Sequence, residues 1–208
     1  MNAVVAILHV DESCLGNGRE GENPGGGGGL IEARTGSRRI KRRDFFIHAH
    51  ATTNNRMALS GAIAALRLLA GKGGRMRGLV VSDSEYLVRG MREWVPGWAA
   101  RGWTRKGGPI ENLELWQTLV TSSKLHDVQW TWVRGHRNHP KNTYADHLAV
   151  TAAREQKTSE GVVESGFEAW LAEQQVKGKF AGYDPDVAFA ALETRILAGE
   201  SFPLADEP

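Results

Sequence analysis

Short apolar runs alternate with stretches of helical period along this chain. Residues 3–10, with Val4-Val5-Ala6-Ile7-Leu8 at their centre, read as a short β-branched buried strand. Leu30–Arg34 and Asp44–Ala51 read as two more strands, able to pair with the first as an antiparallel meander. Met57, Gly61, Ala62, Ala65, Leu66 and Leu69 recur at helical spacing; Thr53 or Asn54 supplies an N-cap, and Gly71 a stop. Leu79–Ser82 is apolar throughout its core, which predicts a central strand. The chain turns helical from Ser84, and Leu113–Leu125 is a further helix. Val128, Trp130 and Trp132 alternate with Gln129 and Thr131 as a half-buried strand. A helix follows from about Thr143 to Arg154. Later strands must return through helical crossovers, so the fold class is α/β: a mixed five-stranded sheet with helices packed on it.

Beyond about residue 155 the composition changes. The division expected is a body over 1–155 and an acidic C-terminal extension over 156–208. Glu164–Lys177 and Asp186–Leu197 predict two short amphipathic helices, joined by Gly178–Pro185. Their apolar positions are Phe167, Trp170 and Leu171, and Val187, Phe189, Leu192 and Ile196. Near the start, Gly16-Asn17-Gly18 through Gly25–Gly29 predicts a glycine-rich loop or hairpin connection. It lacks the Lys-Ser/Thr ending of a phosphate loop.

A length of 208 residues at 41% hydrophobic suits one domain with appendages and a real core. No stretch is long and apolar enough to span a membrane, and no basic segment with a small-residue cleavage site marks a signal peptide. The single cysteine, Cys14, reads as a small packed residue in a reducing cytoplasm. Residues 1–154 carry 22 Lys and Arg against 13 Asp and Glu, while residues 155–208 carry 4 against 11. The basic body predicts a polyanionic partner. Arg34, Arg38, Arg39, Lys41, Arg42 and Arg43 make a basic hairpin. Arg89, Arg92, Arg101, Arg105 and Lys106 interleave with Trp94, Trp98 and Trp103.

Three carboxylates stand at element ends. Asp11 closes the first strand, Asp83 closes the central strand, and Asp146 opens the last helix of the body. Carboxylates so placed can converge on hard divalent cations, which organise phosphoryl transfer. His136, ten residues before Asp146, suits a proton carrier.

In family order the chain carries Asp11-Glu12-Ser13-Cys14-Leu15-Gly16-Asn17, Thr52-Thr53-Asn54-Asn55-Arg56-Met57, Ser82-Asp83-Ser84-Glu85-Tyr86, Arg101-Gly102-Trp103 and Leu115-Trp116-Gln117. Trp130-Thr131-Trp132-Val133-Arg134-Gly135-His136, His139-Pro140, Asn142 and Asp146 complete the series. Over residues 3 to about 155 this resembles type 1 ribonuclease H, the bacterial enzyme that cuts the RNA strand of RNA–DNA hybrids. The resemblance implies a ribonuclease H-like sheet with helices on both faces. Asp11, Asp83 and Asp146 would be ligands of two Mg²⁺ (or Mn²⁺) ions, and His136 the mobile catalytic histidine. Asn17, Asn54 and Asn55 would touch the minor groove, where RNA shows its 2′-hydroxyls. Thr53 would help bind a DNA phosphate, and the 89–106 stretch would grip the duplex backbone, with Trp94 and Trp103 flanking the DNA strand. Cys14, Glu85 and Asn112 fall among the substrate-contacting positions. The implied partner is an RNA–DNA hybrid bound by a cytoplasmic monomer; the extension's partner stays open.

The pattern breaks most sharply at Ala58. The family carries a glutamate after Thr-Thr-Asn-Asn-Arg-Met, and this chain has Ala58. One explanation is a substitution made to hold substrate uncut, which the intact surroundings favour. The other is a natural hybrid or double-stranded RNA binder with weakened or lost cleavage. Glu12 follows Asp11 where the family has glycine, but alternation along a strand argues that the two point to opposite faces. Glu85 stands where an amide is usual.

Overall fold

The computed structural model describes residues 4–16, 23–34, 39–71, 75–135 and 139–205. β1 (Val5–Cys14), β2 (Gly25–Arg34) and β3 (Ile40–Ala49) form the antiparallel meander. β4 (Arg77–Ser82) lies parallel on the other side of β1, and β5 (Asp127–Trp132) parallel beyond it. The sheet has six strands, not the expected five, in the order β5-β4-β1-β2-β3-β6. The sixth, β6 (Val163–Glu164), comes from the extension and pairs with Asp44 and Arg43, covering an otherwise open edge.

Alternation along β1 divides the core. Ala6, Leu8 and Val10 face α1 (Asn54–Ala70) and α4 (Leu113–Ser123), packing with Leu59, Leu66, Trp116 and Leu119. Val5 and Ile7 face the other way, joining Leu79 and Val81 against Phe189, Ile196 and Phe202 of the extension. Each such side chain contributes about 1.5–3 kcal/mol on full burial. α5 (Pro140–Glu155) covers β2 on this second face. Outside it, α6 (Phe167–Val176) sets Phe167 and Leu171 against Tyr144 and Leu30. The chain between β4 and α4 forms α2 (Glu85–Arg89), a π-helical turn over Gly90–Trp94, and α3 (Val95–Ala100).

Gly25–Gly29 is not the expected loop but the buried first half of β2. The cause is the approach of α5. A Cβ on Gly28 would lie 2.6 Å from the Ala149 nitrogen and 2.9 Å from the Ala145 carbonyl oxygen, so only glycine lets the helix rest on the strand. Gly28 pairs with Asp11, and this contact therefore carries Asp146, beside Ala145, to the end of β1.

The extension is docked on the body. Asp44 accepts hydrogen bonds from the Tyr144 hydroxyl at 2.6 Å, the Ser165 hydroxyl at 2.7 Å and the Gly166 amide at 3.0 Å. Arg42 donates to Glu168 at 2.8 Å and to Asp186 at 2.6 Å, and Arg34 meets Glu193 at 3.0 Å. Part of the basic hairpin thus faces the acidic helices α6 and α7 (Pro185–Leu197).

Candidate active site

Asp11 sits opposite Gly28 and Glu12 opposite Gly27. Paired residues share a face, so Asp11 lies on the α5 side. Glu12 lies on the α1 side, where a Cβ on Gly27 would be 3.4 Å from the Gly61 Cα and 3.5 Å from the Met57 carbonyl oxygen. The two side chains nevertheless meet. Asp11, Glu12 and Asp83 each offer a carboxylate oxygen within 4.8 Å of the others. This corrects the expectation that alternation keeps Glu12 away. The parity holds, but pairing of β1 with β4 ends at His9 and Val81. Past that point no strand separates the faces on the β4 side, and side chains from both can turn toward Asp83.

Asp83 follows the last residue of β4. Its carbonyl oxygen accepts from the Trp132 indole at 2.8 Å, and Gly135 crowds its carboxylate so closely that a Cβ there would overlap it. Asp11 accepts from the Glu12 amide at 2.7 Å and from the Asn142 side chain at 3.1 Å. Asp146 stands outside the three-oxygen group, yet its charge acts on both Asp11 and Glu12. Burial first, then the neighbouring Asp83 carboxylate, pushes Asp11 up to about 9 and Glu12 up to about 8. Glu12 Oε2 is buried without a hydrogen-bond partner among the described residues. An all-oxygen cluster of raised, mutually repelling carboxylates fits hard divalent cations, which would supply the missing positive charge.

Ala58 is buried on α1, 3% exposed. Thr53 caps that helix, accepting from the Arg56 amide at 3.3 Å. Thr53, Asn54 and Asn55 line a cleft of about 450 Å³ with Arg56, Glu111 and Asn112. Asn112 accepts from Arg56 at 3.2 Å and donates to the Tyr86 hydroxyl at 3.2 Å. Cys14 Sγ points to the Thr52 carbonyl oxygen at 3.4 Å. Glu85 is exposed at the start of α2, 3.9 Å from Arg89. Trp94 packs between Tyr86 and Trp98, with ring centres at 5.8 and 5.9 Å, and lines a second cleft with Arg101 and Arg105. Trp103 is half-buried against the main core. Arg92 turns away from this cleft and donates to carbonyls of β5 and the extension. Asn17 and His136 lie outside the described residues. Sequence reasoning missed Glu12 as a cluster member, and Asn142, Gly135 and Trp132 as its supports. Their only signal is the order of the motifs around them.

The model of the RNase H family matches residues 3–154, and the chain belongs to that family. A ribonuclease H of Pelobacter propionicus is 41% identical over 151 residues, spanning 72% of this chain and 85% of the relative. One from Ruegeria sp. is 42% identical over 144 residues, spanning 69% and 87%. The crystal structure of LC9-RNase H1, described as a type 1 RNase H with the type 2 active-site motif, is 51% identical. It superposes with a TM-score of 0.81 over 89% of each chain. Among the described residues no helix is long and apolar enough to cross a membrane.

Proposed function

We propose that this chain is a cleaving RNase H with a relocated carboxylate: Asp11, Glu12, Asp83 and Asp146 hold two Mg²⁺ or Mn²⁺ ions, and Glu12 takes the role left empty at Ala58. The reaction is endonucleolytic hydrolysis of the RNA strand of RNA–DNA hybrids. One observation carries the reading. Glu12 offers a carboxylate oxygen within 4.8 Å of those of Asp11 and Asp83, and its Oε2 is buried without a partner among the described residues, on the face of β1 that α1 and Ala58 occupy. A 51% identical type 1 enzyme described with the type 2 motif supports it. Ala58 then marks a carboxylate moved from helix to strand, and neither an introduced lesion nor a loss of activity is needed to explain it.

Bound divalent ions supply an activated water and stabilise the departing alkoxide. The chain's part is preorganisation. Asn142 holds Asp11, Ser84 bonds Glu12, and Trp132 with Gly135 fixes Asp83. His136 is assigned the shuttling of protons. Substrate grip is assigned to two clefts. Thr53, Asn54, Asn55 and Asn112 face the minor groove, whose 2′-hydroxyls distinguish RNA. Arg101 and Arg105 with Trp94 meet backbone phosphates, independent of sequence. Residues 1–155 form the catalytic domain of a cytoplasmic monomer.

A swap tests this. Mg²⁺-dependent cleavage is measured on hybrid, duplex DNA and duplex RNA. The unmodified chain cuts the hybrid alone. Glu12→Gly loses about 100-fold or more, on the scale of a deleted preorganised charge, and Glu12→Gly/Ala58→Glu recovers most of it. Full activity of the single variant sinks the relocation.

A further inference from the structure

The end of the extension reaches back to the catalytic cluster. Residues 201–205 run along the outer edge of β5. Trp132 donates its backbone amide to the Leu204 carbonyl at 2.7 Å and forms a parallel bridge with Ala205. The Thr131 hydroxyl donates to the Pro203 carbonyl at 3.0 Å, and the Phe202 amide donates to the Gln129 side chain at 3.0 Å. Phe202 is buried among Val5, Ile7 and Val81. Arg92, in the π-helical turn, clasps strand and strap together. Its Nη1 donates to the carbonyls of Trp130 at 2.7 Å, Phe202 at 2.9 Å and Pro203 at 3.0 Å. A π turn inside a helix often marks a functional position, and here it lies on the residue that makes the clasp.

Trp132 is the common member. Its backbone is held by the strap, and its indole holds the Asp83 carbonyl at 2.8 Å. Without residues 201–205, the backbone amide of Trp132, the residue that fixes Asp83, would lose its partner. We propose that the strap and Arg92 are positioning elements for Asp83, acting through Trp132, so that the extension is part of the active site's support. This rests on the reading that Asp83 is a metal ligand. Partners of this kind typically change metal affinity or activity by 10–100-fold.

The test uses the full chain with Mg²⁺ as the probe. Calorimetric Mg²⁺ titration without hybrid is paired with steady-state hybrid cleavage. Trp132→Phe keeps the ring and removes the indole donor. Arg92→Met keeps the stem and removes the clasp. Each is expected to weaken Mg²⁺ binding roughly ten-fold, leaving the hybrid KM within about two-fold. Leu171→Ala, on α6 and far from the strap, lowers Tm and leaves Mg²⁺ affinity unchanged; it separates positioning from general stability. Wild-type Mg²⁺ affinity in both Trp132→Phe and Arg92→Met overturns the inference, as does an equal shift in Leu171→Ala. Absence of Mg²⁺ binding by the unmodified protein overturns the metal reading itself, and this inference with it.

Discussion

Two acidic groups lie on the neighbouring strands β1 and β2, and the protein treats them in opposite ways. Glu32, opposite Ile7, is fully buried against two cations, Lys141 at 2.6 Å and Arg42 at 2.9 Å, with the His9 ring at 3.4 Å. Burial alone would raise its pKa, but His9 and Lys141 hold it down to about 2. Asp11 and Glu12, farther along β1, accept hydrogen bonds from Asn142 and Ser84, yet burial and the neighbouring carboxylates drive them up. The chain compensates the first charge with its own side chains; at the second, carboxylate repels carboxylate, an arrangement that suits a divalent cation.

Breaking the satisfied cluster gives the larger effect on stability. Glu32→Gln leaves the buried Lys141 ammonium without its carboxylate, while Arg42 keeps Glu168 and Asp186; it is expected to cost about 3–5 kcal/mol, read as a lowered urea midpoint with or without Mg²⁺. Because Glu32 is depressed, its contribution is present above the ordinary carboxylate pKa near 4. It is lost only as pH falls from there through about 2.

The uncompensated cluster has the opposite sign. Asp11 and Glu12 titrate higher folded than unfolded, so the native state holds extra protons between about 4, the ordinary carboxylate value, and 8 to 9. Metal-free stability should therefore fall as pH rises through that window. Mg²⁺ at about 100 times its Kd should return roughly 2.7 kcal/mol. Thermal melts at pH 5 and pH 8.5, each with and without Mg²⁺, check this; a Mg²⁺ effect equal at both pH values contradicts it.

Much of the fold is legible in the sequence where pattern and environment agree. The apolar core of β4 and the helical spacing from Met57 to Leu69 carry their own packing, and Asp83 does follow the end of β4, whereas Asp11, expected to close β1, lies inside a strand that runs on to Cys14. Two features resist reading because tertiary context decides them. Gly25–Gly29 reads as a loop by composition but is strand, with α5 leaving no room for side chains at Gly26 and Gly28 and with Thr52, Met57 and Phe45 crowding Gly25 and Gly29. Glu12 reads as turned away by alternation. Nothing in the local pattern says that β1 runs on to Cys14, past its pairing with β4, so that both its faces share one site. The acidic extension likewise carries no sign in its own residues that Glu168, Asp186 and Glu193 meet Arg42 and Arg34.

The most direct test of the account is the rate of Mg²⁺-dependent hybrid cleavage by Glu12→Gln, with hybrid Kd measured alongside. The substitution removes one negative charge and keeps the side chain's size. The account predicts that the unmodified chain cuts, and that the variant binds hybrid equally well and cuts about 100-fold more slowly or worse. A variant that cuts as fast as the unmodified chain would contradict it, as would an unmodified chain that binds hybrid and never cuts.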